Sequence, residues 1–291
     1  MPSQMNAIKS RFRAAFIFIK GKFVMRVRDL AVMRLLSLVV LLATTVCAHA
    51  AQGSQGADVS RATPGRVLFV GNSYFYYNDS LHSHVRRMAI AADPASGKSL
   101  QYKSSTIGGA SLAHHNIQHL LTPGALGTKQ PFELVILQGA STSALTERRR
   151  AAFRNKVIEF DAEIKRHGAK TALYMTHAHV SPSKFASPDM IRKVESMYVS
   201  VGKEVGALVI PVGLAFEEAY RQRPDIKLHK DFDGSHPDLA GTYLAACVVY
   251  ASVYGKSPVG NSYDYYGRID KDTAAFLQKV AHETVQKFSG R

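Results

Sequence analysis

The chain's 291 residues allow one or two domains with a sizeable core, and its 46% hydrophobic and 20% charged content excludes a disordered or fibrous polymer. The net charge of +15 suggests a nucleic-acid or membrane partner, yet eight basic residues and a single acid, Asp29, fall in the first 50 positions. Residues 51–291 hold 29 basic against 21 acidic residues, a net of +8, with no basic run denser than Arg148-Arg149-Arg150, so no nucleic-acid partner is expected.

Residues 1–50 are expected to be a signal peptide with a long basic extension. The uncharged run 35–48 lies behind the basic stretch 25–34, and Ala48-His49-Ala50 matches the small-x-small pattern at which signal peptides are cut. The run is shorter than the roughly 18 apolar residues that a membrane span needs, so stable membrane insertion after cleavage is not expected. Met25 and Met33 are alternative starts to Met1. Cleavage would remove Cys47 and leave Cys247, which lies in the apolar run 243–253, as a buried small hydrophobe without a disulfide partner. The expected location is outside the cytoplasm, either periplasmic or secreted.

Residues 51–65, rich in Gly, Ser, Ala and Gln, read as a linker to a single domain over 66–291. Val67-Leu68-Phe69-Val70 is a continuous apolar run, the pattern of a strand covered on both faces. Leu81, Val85, Met88 and Ala89 then recur at helical spacing. A second strand is expected over 100–105, a helix over 112–121 and a third strand at Leu134-Val135-Ile136-Leu137. An amphipathic helix comes next over 146–167, with Phe153, Val157, Phe160 and Ile164 on one face and Gly168 as its stop. The pattern continues as strand 171–175, helix 190–205, strand 208–212, and helices over 214–221, 237–254 and 272–288. Such alternation predicts an α/β fold, a parallel five-stranded sheet between two helical layers, with ligands bound beyond the carboxyl ends of the strands.

The residues just after those strands carry the candidate chemistry. Gly71-Asn72-Ser73 would place a serine hydroxyl on a tight strand-to-helix turn, although the tripeptide alone favours a plain turn at Gly71 with Ser73 or Asp79 capping the next helix. Gly108-Gly109 would let backbone N–H groups approach a ligand, and Gln138 would bring a carboxamide donor to the third strand end. In Asp233-Gly234-Ser235-His236 the three-residue offset lets the carboxylate accept from His236 Nδ1 and leaves Nε2 free as a base. Pro237 fits the start of the next helix.

Serine after strand one, Gly-Gly after strand two, an amide after strand three and Asp-x-x-His before the last helices, in that order, resemble the SGNH (GDSL) hydrolase superfamily over roughly residues 66–254. The resemblance implies a three-layer, flavodoxin-like sandwich and a serine esterase with nucleophile Ser73 and partners Asp233 and His236. It also implies an oxyanion hole from the Ser73 backbone N–H, Gly109 and Gln138. Two blocks depart from the family's usual wording: Gly-Asn-Ser-Tyr stands for Gly-Asp-Ser-Leu, and Gln138, one methylene longer, for the asparagine of Gly-x-Asn-Asp. The surrounding G-x-S-x-G elbow of conventional α/β-hydrolases is missing around Ser73. The expected substrate is a small-molecule or glycan ester with a short acyl group, bound by Asn72, Tyr74, His177 and His179, without cofactor or metal.

Two alternatives stand beside this reading. His114, His115 and His119, with His115 and His119 four apart on the expected helix, and the pair His177 and His179 would suit a metal-dependent hydrolase. Against that, neither group includes an acidic residue, and His115-to-His119 lacks the glutamate of the zincin motif. The other alternative is an SGNH-like module that binds without turnover.

Overall fold

The computed structural model describes residues 63–290. The expected signal peptide, its Cys47 and most of the 51–65 linker lie outside the described residues. Five strands, β1 (Arg66–Gly71), β2 (Gln101–Thr106), β3 (Leu134–Leu137), β4 (Lys170–Tyr174) and β5 (Leu208–Ile210), form one parallel sheet in the order β2-β1-β3-β4-β5. Among the described residues eight α-helices accompany them: α1 (Ser73–Tyr76), α2 (Leu81–Ala92), α3 (Ile117–Leu121), α4 (Glu147–Arg166), α5 (Met190–Val205), α6 (Val212–Gln222), α7 (Leu239–Tyr254) and α8 (Lys271–Ser289).

Strand pleating divides the core into two apolar layers. Val67, Phe69, Leu134, Ile136, Ala172 and Tyr174 face α2, α6, α7 and α8. The intervening residues Leu68, Val70, Val135, Leu137, Leu173 and Met175 face α3, α4 and α5. This is the three-layer α/β/α sandwich with a five-stranded parallel sheet that the strand–helix alternation predicts. Helix α7 is buried almost throughout, and Cys247 lies fully inside it as a free thiol. Its apolar residues run around the whole helix because α2 and α8 cover it within the layer. Among the described residues, no helix is long and apolar enough to cross a membrane.

Element boundaries depart from the sequence expectation where a cap outweighs periodicity. The helix expected over 112–121 is broken: a 3-10 turn covers Leu112–His114, His115 is extended, and the Asn116 side chain accepts from His119 N at 3.1 Å to start α3. His115 and His119 therefore do not share a helical face. Strand β5 stops at Ile210, and α6 begins directly after Pro211. Pro237 does not start α7. It pairs with His229 in an isolated antiparallel bridge, and Asp238 provides the cap, accepting from Leu239 N at 2.8 Å.

Candidate active site

The end of β1 is held by three loops at once. Gly71 leaves no room for a side chain: a Cβ there would lie 2.5 Å from Gln138 Oε1 and 2.8 Å from the Phe75 ring. Asn72 then caps the single-turn helix α1, its Oδ1 accepting from Tyr74 N at 3.1 Å. Its Nδ2 donates to Ala110 O at 2.9 Å and to Gly139 O at 3.4 Å, which ties the turn to the loops beyond β2 and β3. An aspartate, the usual residue of the resembled family, has no hydrogen to donate to either carbonyl. Ser73 opens α1, so its N–H has no intrahelical acceptor, and the residue is 7% exposed.

The partners come from the loop before α7. Asp233 Oδ1 accepts from Ser235 N at 2.9 Å and His236 N at 3.0 Å, while Oδ2 accepts from His236 Nδ1. That bond fixes the hydrogen on Nδ1, and Nε2 is left to accept from Ser73 Oγ at 2.8 Å. Burial acts to raise the Asp233 carboxyl. The hydrogen bonds from His236 and the Ser235 and His236 backbone outweigh it, so the group titrates below its ordinary range and stays ionised at neutral pH. Gly234 permits the loop to dock: its φ is +59° and a Cβ would lie 2.1 Å from Val180 O. Thus Ser73 meets Asp233 and His236, about 160 positions further along the chain, in one relay.

Several contacts hold that relay in ways the sequence does not disclose. Tyr74 Oη shares a hydrogen with Ser235 Oγ at 2.8 Å, and Asn78 Nδ2 donates to Pro237 O at 3.0 Å, one bond on each side of His236. The Tyr77 ring stacks on the His236 imidazole with centroids 4.3 Å apart, and Phe232 lies 6.4 Å away. Phe232 is 69% exposed, and Tyr76, stacked on Tyr77 at 5.6 Å, is 41% exposed.

The other expected site residues are placed differently. Gly109 is exposed beyond β2 with φ +70°, and its N–H has no acceptor among the described residues. Gln138 is turned inward and is 1% exposed; Oε1 accepts from Asn72 N at 2.9 Å and Nε2 donates to Gly139 O. With both amide atoms on the backbone of neighbouring loops, Gln138 braces the serine turn, and in this arrangement its Nε2 is spent on Gly139 O. Asn72 and Tyr74 are buried, and each uses its polar atoms on the protein, so they shape the site from behind.

His177 is fully buried between the Tyr74 and Phe216 rings, each 4.3 Å away, and cannot reach a substrate. Its Nε2 donates to Ser235 O at 2.9 Å, its Nδ1 has no partner, and burial foremost pushes its pKa well down, keeping it neutral. His179 is also buried, with Nδ1 at 2.7 Å from Ser183 Oγ and Nε2 at 3.3 Å from both Tyr74 Oη and Ser235 Oγ. His114 belongs to a cap around Ser111, and His115 is buried against Ser105 Oγ at 3.3 Å. Among the described residues, no three candidate ligands converge on a metal position, so these histidines supply no donor set for the metal alternative.

No protein-family model matches the chain. No curated protein matches it in sequence. Solved structures do match in fold. A DUF4886 family protein from Bacteroides uniformis aligns with a TM-score of 0.60 at 18% identity, covering 77% of this chain and 95% of its own. A protein from Slackia heliotrinireducens classed with the SGNH hydrolases aligns at 0.52 and 23% identity, covering 64% and 97%. A variant of an acetyl-xylooligosaccharide esterase from Geobacillus aligns at 0.51 and 13% identity, covering 66% and 96%. By its strand order this chain shares the α/β fold of these structures, and its serine after β1 and Asp-x-x-His loop before α7 stand where the sequence resemblance expects them.

Proposed function

We propose that the protein is an exported serine ester hydrolase that releases short acyl groups by two-step transfer. The observation carrying this reading is the Ser73 Oγ–His236 Nε2 contact of 2.8 Å, backed by the Asp233 carboxylate on Nδ1. His236 takes the Ser73 proton as Oγ bonds to the ester carbonyl carbon. The carbonyl π electrons move to oxygen, which faces the N–H groups of Ser73 and Gly109. Collapse expels the alcohol, which leaves with the proton from His236. Water, deprotonated by the same imidazole, then adds to the acyl carbon; the bond to Oγ breaks, the carboxylic acid leaves, and His236 returns the proton to Oγ.

The leaving alcohol belongs on the His236 side, where Phe232 exposes an aromatic ring suited to stacking on a sugar. That placement, and the fold shared with an acetyl-xylooligosaccharide esterase, support a glycan ester as substrate. Export rests on the sequence of residues 1–50, and N-terminal sequencing of the secreted product tests it.

Hydrolysis of p-nitrophenyl acetate by the wild type and Ser73→Ala tests the chemistry. Loss of about 10⁴-fold or more in kcat in the variant, with no effect of EDTA on the wild type, is expected. No wild-type turnover at any acyl length overturns the proposal in favour of a binding module. Turnover that survives Ser73→Ala but stops in EDTA overturns it in favour of metal chemistry.

A further inference from the structure

The two sides of the nucleophile are built from opposite faces of the sheet. His236 lies two residues before the Asp238 cap of α7, in the loop that feeds the α7 layer. On the other face, beyond β2 and β3, a cavity of about 250 Å³ opens against the first turns of α4. Its walls include residues 111–113, 139–140 and 142–143, from the loops that Asn72 ties to the serine turn through Ala110 O and Gly139 O. Leu112, Ala140, Ala152 and Phe153 give it an apolar lining. Three cations, Arg148, Arg149 and Lys156, also line it, and no acidic side chain does. Lys156 is paired with Glu159 at 2.6 Å, whereas Arg148 and Arg149 are exposed and have no acidic partner among the described residues.

In the acyl-transfer reading, on which this inference rests, His236 must hand its proton to the leaving oxygen. The alcohol therefore lies towards His236, and the acyl substituent extends the other way, towards the loops beyond β2 and β3. We propose that the cavity receives the acid half of the ester and selects a short acyl chain ending in a carboxylate, the half-ester of a dicarboxylic acid. The volume lies below the roughly 300–1,000 Å³ of sites for drug-sized ligands and suits a chain of a few carbons. The apolar lining takes the methylenes, and the unpaired guanidinium groups of Arg148 and Arg149 receive the terminal carboxylate.

Monoethyl succinate and its neutral isostere ethyl isocaproate separate the two possibilities, with acid release followed by alkali uptake at fixed pH. The wild type is expected to favour the succinate in kcat/KM by about tenfold or more at low salt, and the preference shrinks as ionic strength rises. In the double variant Arg148→Ala/Arg149→Ala the ratio of the two kcat/KM values is expected to fall about tenfold, chiefly through KM for the succinate. Both positions are exposed on α4, and an unchanged melting curve certifies the fold. A wild-type ratio at or below one, or a ratio that the double substitution does not move, overturns the acid-pocket assignment while turnover of p-nitrophenyl acetate leaves the esterase reading standing. If the wild type cleaves none of the three esters, the acyl-transfer reading fails and the pocket assignment fails with it.

Discussion

His236 and His177 flank the same phenol, yet the protein makes different groups of them. Tyr74 meets His236 in a T-shaped contact at 5.9 Å and stacks on His177 at 4.3 Å; His177 bonds Ser235 O, and His236 is the next residue along. His236 is partly exposed, with a carboxylate on one nitrogen and a hydroxyl on the other. His177 is sealed between two rings, with one nitrogen on a carbonyl and the other unpartnered. Side-chain identity and neighbourhood are nearly shared. Solvent access and the acid–hydroxyl pairing separate a candidate base from a packing residue.

Substitutions that treat the two histidines alike give the hardest test of that contrast. His236→Ala is expected to lower kcat on short acyl esters by on the order of 10⁶-fold with little change in melting temperature. Asp233→Asn, which removes the tautomer lock, should cost about 10⁴-fold in kcat. His177→Ala should do the reverse: about 3 kcal/mol of stability lost in urea unfolding, and kcat of the folded fraction changed only a few-fold. Should His177→Ala abolish turnover at unchanged stability, the contrast is wrong.

Acid supplies a second comparison. Burial foremost lowers His177, and lowers His229 to about 4, so both are neutral when folded and take up protons more readily when unfolded. Stability is then fully present above the ordinary histidine value near 6.5 and declines as pH falls, with His229 alone worth about 3 kcal/mol by pH 4. Unfolding midpoints measured between pH 7 and 4 should show this slope, and His229→Gln should flatten it. A smaller effect is expected from Asn72→Asp, which sets a carboxylate against Ala110 O and Gly139 O and should cost about 1–3 kcal/mol. The smallest is Tyr74→Phe, about 1 kcal/mol, read by the same unfolding curves.

Much of the layer structure is legible in the sequence because buried parallel strands are apolar on both faces. Leu134–Leu137 is bounded correctly to the residue, as is helix Met190–Val205, whose Gly206 stop adopts a left-handed conformation. Local caps are harder to see. Asn116 interrupts an apolar spacing that otherwise runs unbroken from Leu112 to Leu121, and nothing in the periodicity announces the interruption. The relay residues are legible through the order of their blocks, since each follows a strand or precedes α7. The inward turn of Gln138 and the Tyr74–Ser235 clasp depend on contacts 66 and 161 positions apart, and no local pattern encodes them. The burial of His177 does have a local signal: the residue directly follows the buried run at the end of β4, which argues for a core position.

The acid and the base of the relay sit three residues apart on one loop, and only the hydroxyl comes from elsewhere. Their mutual alignment is made within that short segment, by the bonds that Asp233 accepts from Ser235 N, His236 N and His236 Nδ1. A single gap, between Oγ and Nε2, is left for the remainder of the molecule to control. The Tyr74–Ser235 and Asn78–Pro237 bonds bracket that gap like two hinges on one door, so any breathing that widens it must work against both together.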